Sequence, residues 1–127
     1  MTRPTPVGLG VDMVDIARFR TVLGRRPSMY HRLFTEAEQG YAASLADPVP
    51  SLAARFAAKE AVMKALGVGL GRFAFRDVEV RRLPGGAPEL ALSGDAGALA
   101  AERLVGSWLV SLTHTATMAA AVVLALS

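Results

Sequence analysis

The chain contains no cysteine. Disulfides, thiolate nucleophiles and cysteine-ligated metals are thereby excluded, and the composition suits a reducing compartment such as the cytoplasm. Histidine occurs only as His31 and His114, too few without cysteine for a zinc site built from protein ligands alone. Aromatic residues make up just 6% of the chain and fall mostly at apolar helical positions. This argues against a stacking surface for nucleic acid. Long hydrophobic runs are missing as well. The stretch Met118–Leu126 is apolar over 9 residues, which suits a buried strand and not a membrane span. The apolar run that follows the N-terminal residues 1–6 is too short for the core of a signal peptide. No repeat, linker or low-complexity segment is present. Lysine is scarce too: among 14 basic residues only Lys59 and Lys64 are lysine, and the rest are arginine.

What remains is a chain of 127 residues, 52% hydrophobic and 20% charged, able to bury a core as one domain over residues 1–127. Its formal charge of +3 and pI near 10.0 favour an anionic partner: a nucleotide, a nucleic acid or an acidic protein.

Residues 7–11 alternate apolar residues with Gly8 and Gly10 and predict a strand ending near Asp12. Val7, Leu9 and Val11 are expected to face inward, with the glycines admitting a close neighbour on the other side. Asp15 is positioned to cap a helix carrying Ile16, Phe19, Val22 and Leu23, closed by Gly24 and Pro27. A short helix is expected over residues 30–34. Thr35-Glu-Ala-Glu38 has capping-box spacing for a helix reaching about residue 45. Asp47-Pro-Val-Pro50 breaks the chain, and Ser51 is the expected cap of a long helix ending at Gly67. The glycine-rich residues 67–71 follow a helix instead of preceding one, so they read as a turn and not as a phosphate loop. Strands over 78–83 and 89–92 flank a Pro-Gly-rich turn; a helix over 95–105 and strands over 108–112 and Met118–Leu126 follow. Strands and helices do not alternate strictly, which predicts an α+β fold with an antiparallel sheet packed on helices.

Charge concentrates in the long helix. Leu52, Phe56, Val62, Met63 and Leu66 form one apolar arc, with Arg55 and Lys59 inside it and Glu60 and Lys64 at its edge. Charges in a packing face need partners. Glu60 and Lys64 have the favourable i, i+4 spacing, but Arg55 and Lys59 are like charges one turn apart, best explained by an anion between them. Asp12, at a strand end, is either a local cap or a site carboxylate; with Glu60 it offers two oxygen donors for a hard cation such as Mg²⁺. His114, within Ser111-Leu-Thr-His-Thr115, is either a satisfied turn residue or a phosphate donor or proton shuttle at the same mouth as Asp12 and Glu60. Arg18, Arg20, Arg25 and Arg26 either complement a helix dipole or form a basic ridge for an acidic partner.

Three segments, Gly8-Leu-Gly-Val-Asp12 with Arg18, Arg55-Phe-Ala-Ala-Lys-Glu60-Ala-Val-Met-Lys64-Ala, and Ser111-Leu-Thr-His-Thr115, together resemble the holo-[acyl-carrier-protein] synthase family of 4′-phosphopantetheinyl transferases. The resemblance spans nearly the whole chain. It implies Mg²⁺-dependent transfer of 4′-phosphopantetheine from coenzyme A to a serine of an acidic apo-acyl carrier protein of fatty-acid or polyketide synthesis, releasing adenosine 3′,5′-bisphosphate. It implies catalytic roles for Asp12, Glu60, Lys64 and His114, with Asp12 and Glu60 as Mg²⁺ ligands and Lys64 near the diphosphate. Coenzyme-binding roles are implied for Arg55, Phe56, Lys59, Lys64, Gly67, Gly86, Pro88, His114 and Thr115. Arg18, with Arg20, Arg25 and Arg26, matches the carrier-binding surface. The small members of this family are homotrimers with sites between subunits. Two departures stand out: the family often has a basic residue where Ala87 lies in Gly86-Ala87-Pro88, and sometimes an acidic one where Thr115 follows His114.

Overall fold

The structure, a computed structural model, describes residues 3–127. Met1 and Thr2, and with them the start of the segment read for targeting, lie outside the described residues. Strand β1 (Pro6–Asp15) is followed by helices α1 (Ile16–Arg25), α2 (Ser28–Leu33), α3 (Glu36–Ala43) and α4 (Val49–Ala65). A 3₁₀ turn at Phe75–Asp77 precedes β2 (Val78–Arg82) and β3 (Pro88–Leu92). Helix α5 (Gly94–Glu102) and strands β4 (Ser107–His114) and β5 (Met118–Leu126) complete the chain. All pairings are antiparallel: β1-β5-β4 form one sheet and β2-β3 a separate hairpin. The α+β architecture is as the sequence implies.

The glycines of β1 decide how the layers meet. A Cβ on Gly10 would stand 1.8 Å from the Ala61 carbonyl oxygen, and one on Gly8 2.2 Å from that of Ala65. Only hydrogen fits there, so α4 lies directly on the sheet. Alanine continues the contact: Ala57, Ala58 and Ala61 of α4, and Ala119, Ala121 and Ala125 of β5, are buried. This overturns the expected facing of β1. Because α4 occupies the glycine side, Val7, Leu9, Val11 and Met13 point the other way, and Leu9 and Met13 are 65% and 63% exposed. Leu109 and Val122 extend this exposed apolar face across β4 and β5.

The caps on α1 and α3 form as their spacing requires. The Asp15 side chain accepts from the Arg18 amide at 2.8 Å, and Thr35 and Glu38 close a reciprocal capping box. The start of α4 differs from expectation. Ser51 lies inside the helix, whose first residue is Val49, and Asp47 Oδ1 accepts from the Val49 amide at 3.2 Å. Pro50 is harmless in the first turn, where its missing N–H has no helical partner to lose.

Candidate active site

Asp12 and Glu60 meet where β1 crosses α4. Asp12 lies on the glycine side of β1, so its carboxylate faces the helix, and its side chain is 14% exposed. Burial, and then the neighbouring Asp12 carboxylate, push the Glu60 carboxyl above its ordinary range, while Lys64 acts in the opposite sense. One turn beyond Glu60, Lys64 Nζ donates to Asp12 Oδ1 and to the Val11 carbonyl, both at 3.0 Å. Lys64 thus pairs with the distant Asp12, and the i, i+4 pairing with Glu60 is a secondary, purely coulombic influence. Arg18, Phe19, Val22, Met29 and Phe56 line the same cavity, whose volume is about 570 Å³.

Two mutually repelling, half-buried carboxylates with one lysine form a donor set that a cation relieves. Among the described residues no three His, Cys, Asp or Glu side chains gather into a cage. The residues therefore fit Mg²⁺, which takes one or two carboxylates and fills its octahedron with water and phosphate oxygens. A site requiring full protein coordination does not fit.

Arg55 and His114 open elsewhere. They line a second cavity with Tyr41, Asp47, Ser51 and Thr113, and it shares no lining residue with the first. The separation follows from topology. Asp12 pairs with Ala121, which pairs with Leu112, so β4 is two strands from β1. On α4, Arg55 and Glu60 are five residues and about 140° apart. Within one chain His114 therefore does not share a mouth with Asp12 and Glu60, contrary to expectation. Gly86 and Pro88 line a cavity adjoining Arg55, while Phe56 belongs to the carboxylate cavity, stacked between Phe19 and Phe75. Gly67 lines none of these; with φ at 71° it ends α4 in the left-handed region. The Thr115 hydroxyl accepts from the amides of Thr117 and Met118 and shapes the β4–β5 turn.

Lys59 needs the firmest correction. Its side chain is 0% exposed, and its three donors reach Glu38 Oε1 at 2.7 Å, the Phe75 carbonyl at 3.1 Å and the Val78 carbonyl. Burial lowers its pKa and Glu38 opposes that shift. The anion inferred from the Arg55–Lys59 spacing is thus Glu38 of the same chain, and Lys59 binds the core in place of a coenzyme. Three acceptors around one point match an ammonium and not a planar guanidinium, which explains the lysine. Glu38 was missed because its only local signal, the capping box, already accounted for it.

The arginine set also divides. Arg18 lines the carboxylate cavity, and Arg25 lies seven residues on, on the same helix face. Arg20 turns away to an exposed ion pair with Asp47 at 2.8 Å. Arg26 lines a further cavity with His31, Arg32 and Arg76.

The sequence pattern of the 4′-phosphopantetheinyl transferase superfamily matches residues 8–123. The chain belongs to this family. A holo-[acyl-carrier-protein] synthase of Moorella thermoacetica is 49% identical over 115 residues, 91% of this chain and 90% of its own length. The holo-[acyl-carrier-protein] synthase of Streptomyces coelicolor is 46% identical, over 94% of this chain and 96% of that one. The crystal structure of the Helicobacter pylori holo-[acyl-carrier-protein] synthase in complex with coenzyme A superposes with a TM-score of 0.81. It is 32% identical and covers 92% of this chain and 98% of that one. The protein is an enzyme of the holo-[acyl-carrier-protein] synthase group, and its α+β fold is theirs.

Proposed function

We propose that this enzyme transfers 4′-phosphopantetheine from coenzyme A to a serine of an apo-acyl carrier protein, releasing adenosine 3′,5′-bisphosphate. The observation that carries the reading is the pairing of Asp12 and Glu60, with Lys64 on Asp12, in a chain of this family. The serine oxygen forms a bond to the pantetheine-side phosphorus as the phosphoanhydride bond to the nucleotide breaks. The serine proton is released, and the electron pair leaves on the nucleotide phosphate. Such a transfer needs alignment and charge neutralisation more than covalent help. Asp12 and Glu60 would hold Mg²⁺, which supplies charge neutralisation at the diphosphate. Lys64, half-exposed and held on Asp12, adds a cation on the same side and stabilises charge on the leaving phosphate. Arg55 and His114 meet the nucleotide end of the coenzyme. Arg18 and Arg25 grip the acidic carrier, and because Arg18 also lines the carboxylate cavity, docking there delivers the serine to the diphosphate.

The separation of the two cavities within one chain is accounted for if each active site takes one cavity from each of two neighbouring subunits. The exposed apolar face of β1, β4 and β5 supports a homotrimer joined through these sheets. This reading places the enzyme in the cytoplasm; among the described residues no helix is long and apolar enough to cross a membrane.

Mass spectrometry of an apo-carrier incubated with enzyme, coenzyme A and Mg²⁺ is expected to show the gain of one phosphopantetheinyl group, lost on chelation. No gain with several carriers on which another synthase works would end the reading. Leu9→Glu, which puts a charge into the apolar face, is expected to yield a monomer by light scattering and to lower turnover at least about 100-fold. A folded Leu9→Glu trimer with full activity would exclude this face as the interface.

A further inference from the structure

The turn between β2 and β3 brings no cation of its own, because position 87 is alanine. A cation reaches it from the strand instead. Arg82, the last residue of β2, extends over the turn: a Cβ on Gly86 would lie 3.1 Å from Arg82 Nη2. Its guanidinium sits 4.9 Å from the centroid of the Tyr41 ring and donates to the Tyr41 hydroxyl. The Arg55 guanidinium sits 4.6 Å from the same centroid. One aromatic ring therefore orders two guanidinium groups, held together despite their like charge.

Arg55 and Arg82 line two cavities together; one also takes in Glu79, and in the other neither cation meets a carboxylate. That cavity, about 290 Å³, is lined by Tyr41, Arg55, Arg82, Gly86, Pro88 and Ser111 with apolar neighbours, and it holds no Asp or Glu. The acids of the hairpin are used elsewhere. Glu79 accepts from Thr35 Oγ1 and from Arg81 Nε, both at 2.6 Å, and Glu89 faces Arg81 in the hairpin register. Arg82 faces Pro88 in that register. Arg55 is 5% exposed, and its Nε is a buried side-chain polar atom without a partner among the described residues. Burial, with Arg82 adding its charge, lowers the Arg55 pKa, and Glu38 opposes this. Two ordered guanidiniums, one with a buried donor to spare, match a dianion.

We infer that Arg82 is a binding and specificity-determining residue of the enzyme: with Arg55 it receives the 3′-phosphomonoester of coenzyme A, and Tyr41 is the positioning residue that orders both. The inference rests on the transfer reading above. Coenzyme A carries a diphosphate and one phosphomonoester. The diphosphate contains the bond that breaks and belongs with Asp12, Glu60 and Lys64, which leaves the dianionic phosphomonoester for a cavity that has two arginines and no metal-binding acids.

The test compares coenzyme A with 3′-dephospho-coenzyme A in wild type, Arg82→Ala and Arg82→Lys, each as the assembled protein. Arg82→Ala is expected to raise KM for coenzyme A about tenfold or more with kcat within twofold, and to leave KM for the dephospho form unchanged. Arg82→Lys, which keeps charge but not the fork, recovers only part of the loss. Arg82 is exposed, so the thermal midpoint stays at the wild-type value. A KM that rises equally for both substrates, or for neither, overturns the inference. Calorimetry with adenosine 3′,5′-bisphosphate against adenosine 5′-monophosphate reads the same contact without turnover. A wild type inactive in transfer but preferring the bisphosphate through Arg82 would defeat the transfer reading alone. No preference, or one that Arg82→Ala leaves intact, would defeat the assignment of Arg82.

Discussion

Glu60→Gln and Asp12→Asn are each expected to lower kcat by about a thousandfold or more, the scale of several kcal/mol that a bound cation contributes to charge stabilisation in the transition state. Both substitutions keep shape and remove a charge, so the loss separates the electrostatic role from packing. Stability should move the other way for Glu60→Gln. The folded state holds the Glu60 carboxyl above its ordinary pKa through burial and the Asp12 carboxylate. A raised pKa means that folding favours the protonated form. Its contribution is present below the ordinary carboxylate range and is lost as pH rises through the raised value. At neutral pH the glutamate is therefore a mild liability, and the neutral amide removes it. The thermal midpoint of Glu60→Gln, measured at neutral pH without Mg²⁺, should equal or exceed that of wild type while activity collapses. Full kcat in either variant would refute the two-carboxylate site; a large fall in midpoint for Glu60→Gln would mean that the residue is structural.

The second large effect lies in the core. Lys59→Met is expected to cost about 3–5 kcal/mol, because it leaves the Glu38 carboxylate buried without its counter-charge. Glu38 would retain the amides of Thr35 at 2.9 Å and Val80 at 3.0 Å, insufficient for a charge with no exposure. Denaturant unfolding at matched protein concentration reads this as a lower midpoint, with thermal unfolding falling by roughly 10 °C or more. The double variant Glu38→Leu with Lys59→Met removes both charges and should lose less than Lys59→Met alone. A Lys59→Met protein as stable as wild type would sink the buried-pair account. A coenzyme role for Lys59 would instead raise KM with the midpoint intact, a result that the pair's complete burial predicts against.

The motif residues announced themselves through position as well as type. Asp12 follows two glycines that admit a close neighbour on its side of the strand; the structure shows that neighbour to be α4, the helix that carries Glu60. What misled the reading of β1 was its apolar alternation. Val7, Leu9 and Val11 look like core, yet a sheet whose apolar face is left exposed in the single chain produces the same pattern. Proline misled at the start of α4 because a residue that breaks a helix interior is tolerated in its first turn.

Composition, caps and the order of elements were enough to determine an α+β chain with one charged helix at its centre, and the motif segments, through the family they resemble, brought Asp12, Glu60 and Lys64 forward together. Tertiary structure alone decided which lysine serves which purpose. Lys59 and Lys64 are five residues apart in one helix, but the partner of the first is Glu38 and that of the second is Asp12, 21 and 52 positions away. Helical period can state which side a charge faces; it carries no information about what waits there. The same limit hid Arg82. Its place beside Arg55 depends on a hairpin folding back over Tyr41, a contact between segments 41 residues apart that no local spacing encodes.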